Sequence, residues 1–216
     1  MKASPIRTAW SVLVAAATIA VILGGSMVLF FNPIWAGFEQ DRSAAASLTG
    51  FTPDEVHAVT GAVLHDMIVG PPAFAQQVAG SAVFNDRERA HLVDVRAAFS
   101  AFGLVVVLGV VVLAASAVAS RGAAWFRRAV GTGALALGGA VVLGAIVSLV
   151  AFDQAFEVFH ELFFAGGTYT FDPATDRLVQ LFPIQFWEET SLAVGAVILI
   201  VSSVVAWWGL GRERLA

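Results

Sequence analysis

Cysteine is absent from this chain of 216 residues, and that gap closes several chemistries at once. Without a thiol there is no disulfide, no thiolate metal site, no cysteine nucleophile and no lipidated cysteine. Charge is nearly as scarce. Asp, Glu, Lys and Arg make up 13% of the sequence, about half of the ~25% found in a soluble globular domain. The few basic residues form no stripe and no aromatic-basic platform, so no nucleic-acid partner is expected. What fills the chain is apolar: 58% of residues are hydrophobic and the mean hydropathy is +0.82. A surface of that composition faces lipid, so membrane lipids are the first expected partners and the net charge of -4 says little about others.

Four uninterrupted apolar runs, residues 10–31, 99–119, 129–152 and 190–210, are each long enough at about 20 residues to cross a hydrocarbon core. The expected fold class is an all-α membrane protein. It has four transmembrane helices and two extracytoplasmic loops (32–98 and 153–189) that carry short interfacial helices, and residues 1–216 form one integral membrane domain. The first run follows Lys2 and Arg7 as a signal peptide would. Its length of about 22 residues exceeds a 7–15-residue h-region, and no small-residue cleavage site follows, so it reads as an uncleaved signal anchor.

Basic residues set the expected orientation. Lys2 and Arg7, then Arg121, Arg127 and Arg128, then Arg212 and Arg214 crowd three short segments, whereas Arg42, Arg87, Arg89, Arg96 and Arg177 are spread over the two long loops. Both termini are therefore expected in the cytoplasm, and both loops outside. All four histidines, His57, His65, His91 and His160, then lie on the outer side.

The spans carry no interior charge, which argues against a channel, pump or coupled transporter; nor is there the internal repeat of transporters. In the third span Ala136, Ala140, Gly144 and Ser148 recur every four residues, a stripe of small side chains that lets another helix approach.

The loops hold more signal. Thr52-Pro-Asp-Glu55 has the form of a capping box with proline at the first helical position, predicting a helix over 53–66 that Gly70-Pro-Pro72 breaks. Asn85-Asp-Arg-Glu88 repeats that start signal. With no Gly or Pro until Gly103, the second span becomes the lower part of one helix beginning near Asp86. His91 sits about eight residues before the apolar run, ~12 Å along the axis. In the second loop Phe152, Phe156, Phe159, His160, Phe163 and Phe164 share one helix face, with Glu157 and Glu161 elsewhere on the wheel. Gly166-Gly167 ends that helix, Asp172-Pro-Ala-Thr makes a turn, 178–182 is a short apolar segment, and Phe186 and Trp187 mark the water–lipid boundary. The second loop reads as a lid of interfacial pieces.

His160 on an apolar face needs a partner or a purpose, because a buried imidazole without one costs several kcal/mol. His91 and Asp94 are three residues apart, on the same side of a helix, with Arg87 four residues earlier; a carboxylate there orients an imidazole. The bland account makes Arg87, His91 and Asp94 the wet side of a helix and gives His160 a backbone carbonyl or water. A zinc site from the two histidines with Asp94 or Glu161 lacks a third firm ligand and an HExxH motif, so no metal and no cofactor are expected. His57 and His65 read as solvated, and no GxSxG marks a serine nucleophile. Residue reasoning stops at two histidines and carboxylates in an apolar, lid-covered site suited to acid–base chemistry on a lipid head group or ester.

The segments ERAHLVDVR (88–96) and FHELFFAGGTYTFDPATDRLVQLFPIQFW (159–187) resemble the signature of a family of four-span bacterial membrane proteins that includes the lipoprotein intramolecular transacylase. The resemblance implies a membrane acyltransferase. Its substrate is a diacylglyceryl lipoprotein at the outer face; one acyl chain moves from glycerol to the α-amino group of the N-terminal cysteine, giving the lyso-form. It implies His91 and His160 as the catalytic residues. Asp94 then supports His91, Phe159, Phe163, Phe164 and Tyr169 bind substrate, and the phenylalanine face excludes water. The chain departs from the family pattern at Ala165-Gly-Gly-Thr168 and Tyr169, where a polar pair and a tryptophan are usual, and at Ile184-Gln185, where an acidic residue is usual. A non-catalytic scaffold or lipid-sensing protein with structural histidines is the alternative, with transfer or hydrolysis on a free phospholipid a third. The oligomeric state is not encoded in these motifs.

Overall fold

The computed structural model describes residues 4–164 and 166–211. Lys2, Arg212 and Arg214, on which part of the expected orientation rests, and Ala165, in the turn that departs from the family pattern, lie outside the described residues. The chain runs α1 (Pro5–Val28), α2 (Pro33–Arg42), α3 (Ala45–Thr49), α4 (Pro53–Ile68), β1 (Gln77–Val78), β2 (Ser81–Ala82), α5 (Asp86–Ser120), α6 (Ala124–Phe163), α7 (Arg177–Leu181) and α8 (Ile184–Leu210). Among the described residues the protein is all-α apart from this two-stranded hairpin. Four of the helices, α1, α5, α6 and α8, are long and apolar enough to cross a membrane.

Contacts divide the chain into two compact units. One comprises Met1–Met27, Ala101–Ile146 and Val194–Ala216; the other comprises Val28–Ser100 and Val147–Ala193.

The first unit is held by apolar contact and close backbone approach. Val14 is buried with Phe126, Ala129 and Val130, and Ile22 with Ala134, Leu137 and Ile198. Gly133 has no room for a side chain, since a Cβ there would stand 2.4 Å from the Ala15 carbonyl oxygen. The contact face of α6 in this unit is thus Phe126, Ala129, Val130, Gly133, Ala134 and Leu137. The expected stripe does not pack: Ala136, Ala140 and Gly144 are exposed. Spacing alone could not choose between two small-residue faces of so alanine-rich a helix.

The second unit has a core of its own. Thr52 and Glu55 make the capping box that starts α4, each side chain bonding the other's backbone N–H. One face of α4, Val56, Val59, Val63 and Met67, is buried against Phe74, Val83, Phe84, Leu92, Leu178 and Leu181. Gln40, only 1% exposed, donates from Nε2 to Thr60 Oγ1 at 2.8 Å and to the Leu181 carbonyl at 2.9 Å. This joins α2, α4 and α7. Arg42 Nε donates to Glu189 Oε2 at 2.7 Å, fixing α2 to the start of α8. The first "loop" is therefore a folded body rather than a polar excursion. Within it His57 is not simply solvated: its Nε2 lies 3.0 Å from Asp41 Oδ1, while His65 remains exposed beside Asp66.

Two helices carry the site. The start of α5 is a reciprocal cap. Asn85 N–H donates to Glu88 Oε2 at 2.7 Å, and Glu88 N–H to Asn85 Oδ1 at 3.0 Å. Helix α6 is bent at Ala151, whose φ of -153° and ψ of 48° are not helical. Residues after this bend, including the expected aromatic face, belong to the second unit.

Candidate active site

His91 and His160 come together. Their ring centroids are 6.0 Å apart with the planes inclined by 27°, so two residues distant in sequence meet within one unit. His91 occupies the part of α5 that precedes the apolar run, and is 6% exposed. Phe164 and Phe171 meet it edge-on at 4.9 and 5.4 Å. His160 lies beyond the bend in α6, half-buried. Around it stand Phe156 at 4.2 Å, Tyr169 at 5.2 Å, Phe159 at 5.4 Å and Phe164 at 5.6 Å, centroid to centroid.

The polar atoms of the two rings are treated differently. His160 Nδ1 is 2.7 Å from the Phe156 carbonyl oxygen. A carbonyl only accepts, so Nδ1 carries the proton and the neutral ring presents its lone pair at Nε2. His91 Nδ1 is buried with no hydrogen-bond partner. Burial, and then the neighbouring His160, push the His91 pKa down to about 4 against the opposing charge of Asp94. At neutral pH His91 is an uncharged imidazole.

Asp94 does not do what its spacing promised. It is exposed, and the buried His91 Nδ1 accepts or donates nothing; the carboxylate acts on His91 only through its charge. The physical reason is helix geometry. Residues three apart differ by about 60° around the axis, enough here for one to face the aromatic cluster and the other solvent. Of the four aromatic candidates, Phe164 touches both histidines, and Tyr169 and Phe159 touch His160. Phe163 meets Phe159 at 4.9 Å with the planes tilted by 41° and is 61% exposed. The phenylalanine face is thus split, with Phe156 and Phe164 turned to the imidazoles and Phe159 and Phe163 largely outward.

Sequence reasoning missed what holds the segment 171–178. Asp176, 5% exposed, accepts from Asn85 Nδ2 at 3.0 Å, Arg87 Nη2 at 2.7 Å and its own segment's Asp172 N–H at 2.8 Å. Glu88, 1% exposed, accepts the Leu178 N–H at 2.6 Å as well as the Asn85 N–H. Arg87, read from sequence as wet, lies with its guanidinium carbon 5.1 Å from the Phe171 ring centroid. The available signal was the second Asp of FDPATD. Asp172 makes the turn through Ala174 N–H, Thr175 N–H and Asp176 N–H, while the Asp176 carboxylate takes one local bond, from Asp172 N–H, and keeps acceptor capacity for Asn85 and Arg87. Among the described residues no three His, Asp or Glu side chains gather as a metal-ligand set.

Four helices able to cross a bilayer and a paired-histidine site walled by aromatic rings define a multi-pass membrane protein with acid–base potential in an apolar setting. The family model for the lipoprotein intramolecular transacylase Lit matches residues 11–187. The chain belongs to that family. Its fold is similar to that of the membrane-integral lipoprotein intramolecular transacylase Lit from Bacillus cereus, with a TM-score of 0.77 at 16% identity over 98% of this chain and 99% of that one. Structures of the same Bacillus cereus protein with one histidine changed to arginine or to alanine each give a TM-score of 0.72, at 16% and 15% identity. These cover 97% and 98% of this chain and 94% and 96% of theirs. No curated protein sequence matches this chain.

Proposed function

We propose that this protein is an intramolecular acyltransferase that moves an acyl chain from the diacylglyceryl group of a lipoprotein to the α-amino group of its N-terminal cysteine. The observation that carries the reading is the histidine pair itself: centroids 6.0 Å apart, one ring with its tautomer fixed and the other buried. Family membership supports the substrate class.

The chemistry follows from the ring atoms. Aminolysis of an ester needs a neutral amine, and an α-amino group with a pKa of about 7.7–8.0 is largely protonated at pH 7. His160, with its Nδ1 proton held by the Phe156 carbonyl, presents Nε2 as the base. It takes a proton from the attacking amine, a contribution typically of 10²–10⁴-fold. His91, uncharged at neutral pH, is suited to donate a hydrogen bond to the carbonyl oxygen as it gains negative charge. The new bond joins the cysteine nitrogen to the acyl carbon, and the bond from that carbon to the glycerol oxygen breaks. The proton taken from nitrogen ends on that oxygen. Nucleophile and ester belong to one molecule, so proximity supplies much of the rate and no covalent enzyme intermediate is needed. Phe156, Phe164, Phe171 and Tyr169 keep water from the rings; water at that carbon gives hydrolysis instead. Phe164 and Tyr169, with Phe159 and Phe163 outside them, offer the surface for acyl chains. Asp94 raises the basicity of His91 through charge alone.

The asymmetry of basic residues supports cytoplasmic termini, with the site on the outer face of a bacterial cytoplasmic membrane. Mass spectrometry of N-terminal lipopeptides tests the function, using a bacterium whose lipoproteins are diacylated only on glycerol. Expressing this chain should convert them to N-acyl, lyso-glyceryl peptides of unchanged total mass, and His91→Ala or His160→Ala should abolish the conversion at undiminished protein level. Unconverted peptides beside well-folded native protein would defeat the reading and return the histidines to a structural role. An acylated phospholipid in place of an acylated peptide would move the activity to free lipid.

A further inference from the structure

The segment 171–178 reaches His91 through Phe171, and its attachment to the start of α5 is not generic. Phe171 is the ring that meets His91 at 5.4 Å. The Arg87 guanidinium carbon also lies over that ring, 5.1 Å from its centroid, a cation over an aromatic face. That guanidinium is held in place by Asp176 at 2.7 Å. Asp176 has no other role in the chemistry. Yet it is a nearly fully buried carboxylate whose three donors come from both sides of the contact: Asn85 and Arg87 at the start of α5, Asp172 within the segment. Burying a carboxylate costs several kcal/mol unless donors surround it. Glu88 supplies a second tie through Leu178 N–H, so Asp176 is not needed simply to keep the segment on the helix.

We propose that Asp176 is a positioning residue: through Arg87 it fixes Phe171 as the cover that shuts water away from His91. The inference rests on the reading of His91 as a site residue, but its first measurement involves no substrate. The chain of contact is Asp176 to Arg87, Arg87 to Phe171, Phe171 to His91, and each link is one contact long. The groups whose charge acts on His91 are His160 from α6 and Asp94 from its own helix, while Asp176 is already paired with Arg87. Exposure of the ring is thus what the cover controls, and burial is the largest influence on its protonation.

The test is NMR titration of ¹⁵N-histidine-labelled full-length protein in nanodiscs, assigned with His91→Gln. In the native protein His91 is expected to remain uncharged down to about pH 4. In Asp176→Asn, Arg87→Lys and Phe171→Ala the midpoint should rise toward the ordinary value of about 6.5. Arg87→Lys keeps an ion pair with Asp176 but removes the planar group over Phe171, so it avoids leaving a buried carboxylate alone. It serves even if Asp176→Asn fails to fold. An unmoved midpoint in folded Arg87→Lys or Phe171→Ala overturns the proposal, as does an unmoved midpoint in folded Asp176→Asn. In the transacylation assay the same variants should lose activity on the order of tenfold to a hundredfold. Asp94→Asn, which removes a charge that favours the protonated ring, should move the His91 midpoint the other way. If the native protein has no transacylase activity but the midpoints move, the function fails and the positioning role stands. If activity is present and the midpoints do not move, the reverse holds.

Discussion

The two units of this chain bury different polar groups: the unit of the histidines buries carboxylates and amides, with Glu39 Oε2, Gln40 Oε1 and His91 Nδ1 left without a partner, whereas the described residues of the other bury hydroxyls. In the unit of 28–100 and 147–193, the buried carboxylates Glu88 and Asp176 are ringed by named donors. Those bonds tie the start of α5, the helix that carries His91, to the segment 171–178. In the unit of 1–27, 101–146 and 194–216, the buried polar residues are hydroxyls. Thr18 returns its bond to the Val14 carbonyl of its own helix, and the hydroxyls of Ser116 and Ser202 have no partner. One unit is specified by who bonds to whom, the other by how closely backbones fit. Lipid-facing helices gain little from apolar burial against lipid, so small residues and shape decide their packing. A site that must hold two rings in one geometry needs directional bonds.

The sharpest break of that contrast is at the rings. His160→Ala removes the proposed base, and conversion of lipopeptide should fall by 10²–10⁴-fold or more while the thermal midpoint in detergent stays near that of the native protein. Phe156 then loses only a bond to its carbonyl, on a half-exposed helix. A large drop in both quantities would mean that the ring is structural. Next in size is Glu88→Ala. It strips acceptors from the Asn85 and Leu178 N–H groups in a site 1% exposed. Two stranded donors at 1–3 kcal/mol each predict a loss of about 2–6 kcal/mol, read from thermal or denaturant unfolding. A loss below about 1 kcal/mol would show that water replaces the carboxylate.

What could be read in the sequence was what is local or periodic. The capping boxes at Thr52 and Asn85 need only four residues each, and both helix starts stand where they were expected. The two histidines were legible because their motifs are short and chemical. The rest depended on long-range geometry. The Arg87–Asp176 pair spans 89 positions, and nothing near Arg87 announces its partner. The bend at Ala151 was hidden because neither proline nor glycine marks it. The hairpin turns through Ala79 and Gly80, both at positive φ, where Asn-Gly would have been the recognisable pair. Asp94 misled because sharing a side of a helix is a coarser condition than a hydrogen bond requires. The aromatic face was right as a face, but periodicity cannot say which half of it turns inward.

Within the span unit, a smaller effect sharpens the claim that shape rules there. Gly133→Ala would put a Cβ 2.4 Å from Ala15 O and 2.9 Å from Ala15 Cα, and backbone cannot rotate aside as a side chain does. Overpacking of this kind costs about 1–3 kcal/mol. Gly139→Ala is the control: no heavy atom lies within 4 Å of its added Cβ, and alanine favours the helix by up to ~1 kcal/mol over glycine. The two substitutions should move the thermal midpoint in opposite directions. Equal effects would mean that helix propensity rather than contact governs this helix.

The smallest prediction goes to the centre of the contrast. Ser202 is 2% exposed and its Oγ has no partner, so Ser202→Ala removes a polar atom that bonds to nothing and leaves a methyl of similar size. If polar bonding plays no part in specifying this unit, stability should stay within about 1 kcal/mol and move, if at all, upward, because an unsatisfied buried hydroxyl is itself a cost. The matching change in the other unit, Thr60→Val, removes the hydroxyl that accepts from Gln40 Nε2 and should destabilise by about 1 kcal/mol or more. Melting curves of both variants in one detergent decide the matter. A destabilised Ser202→Ala would show that a hydroxyl bond does help to specify the spans, and the division between the two units would then be one of degree.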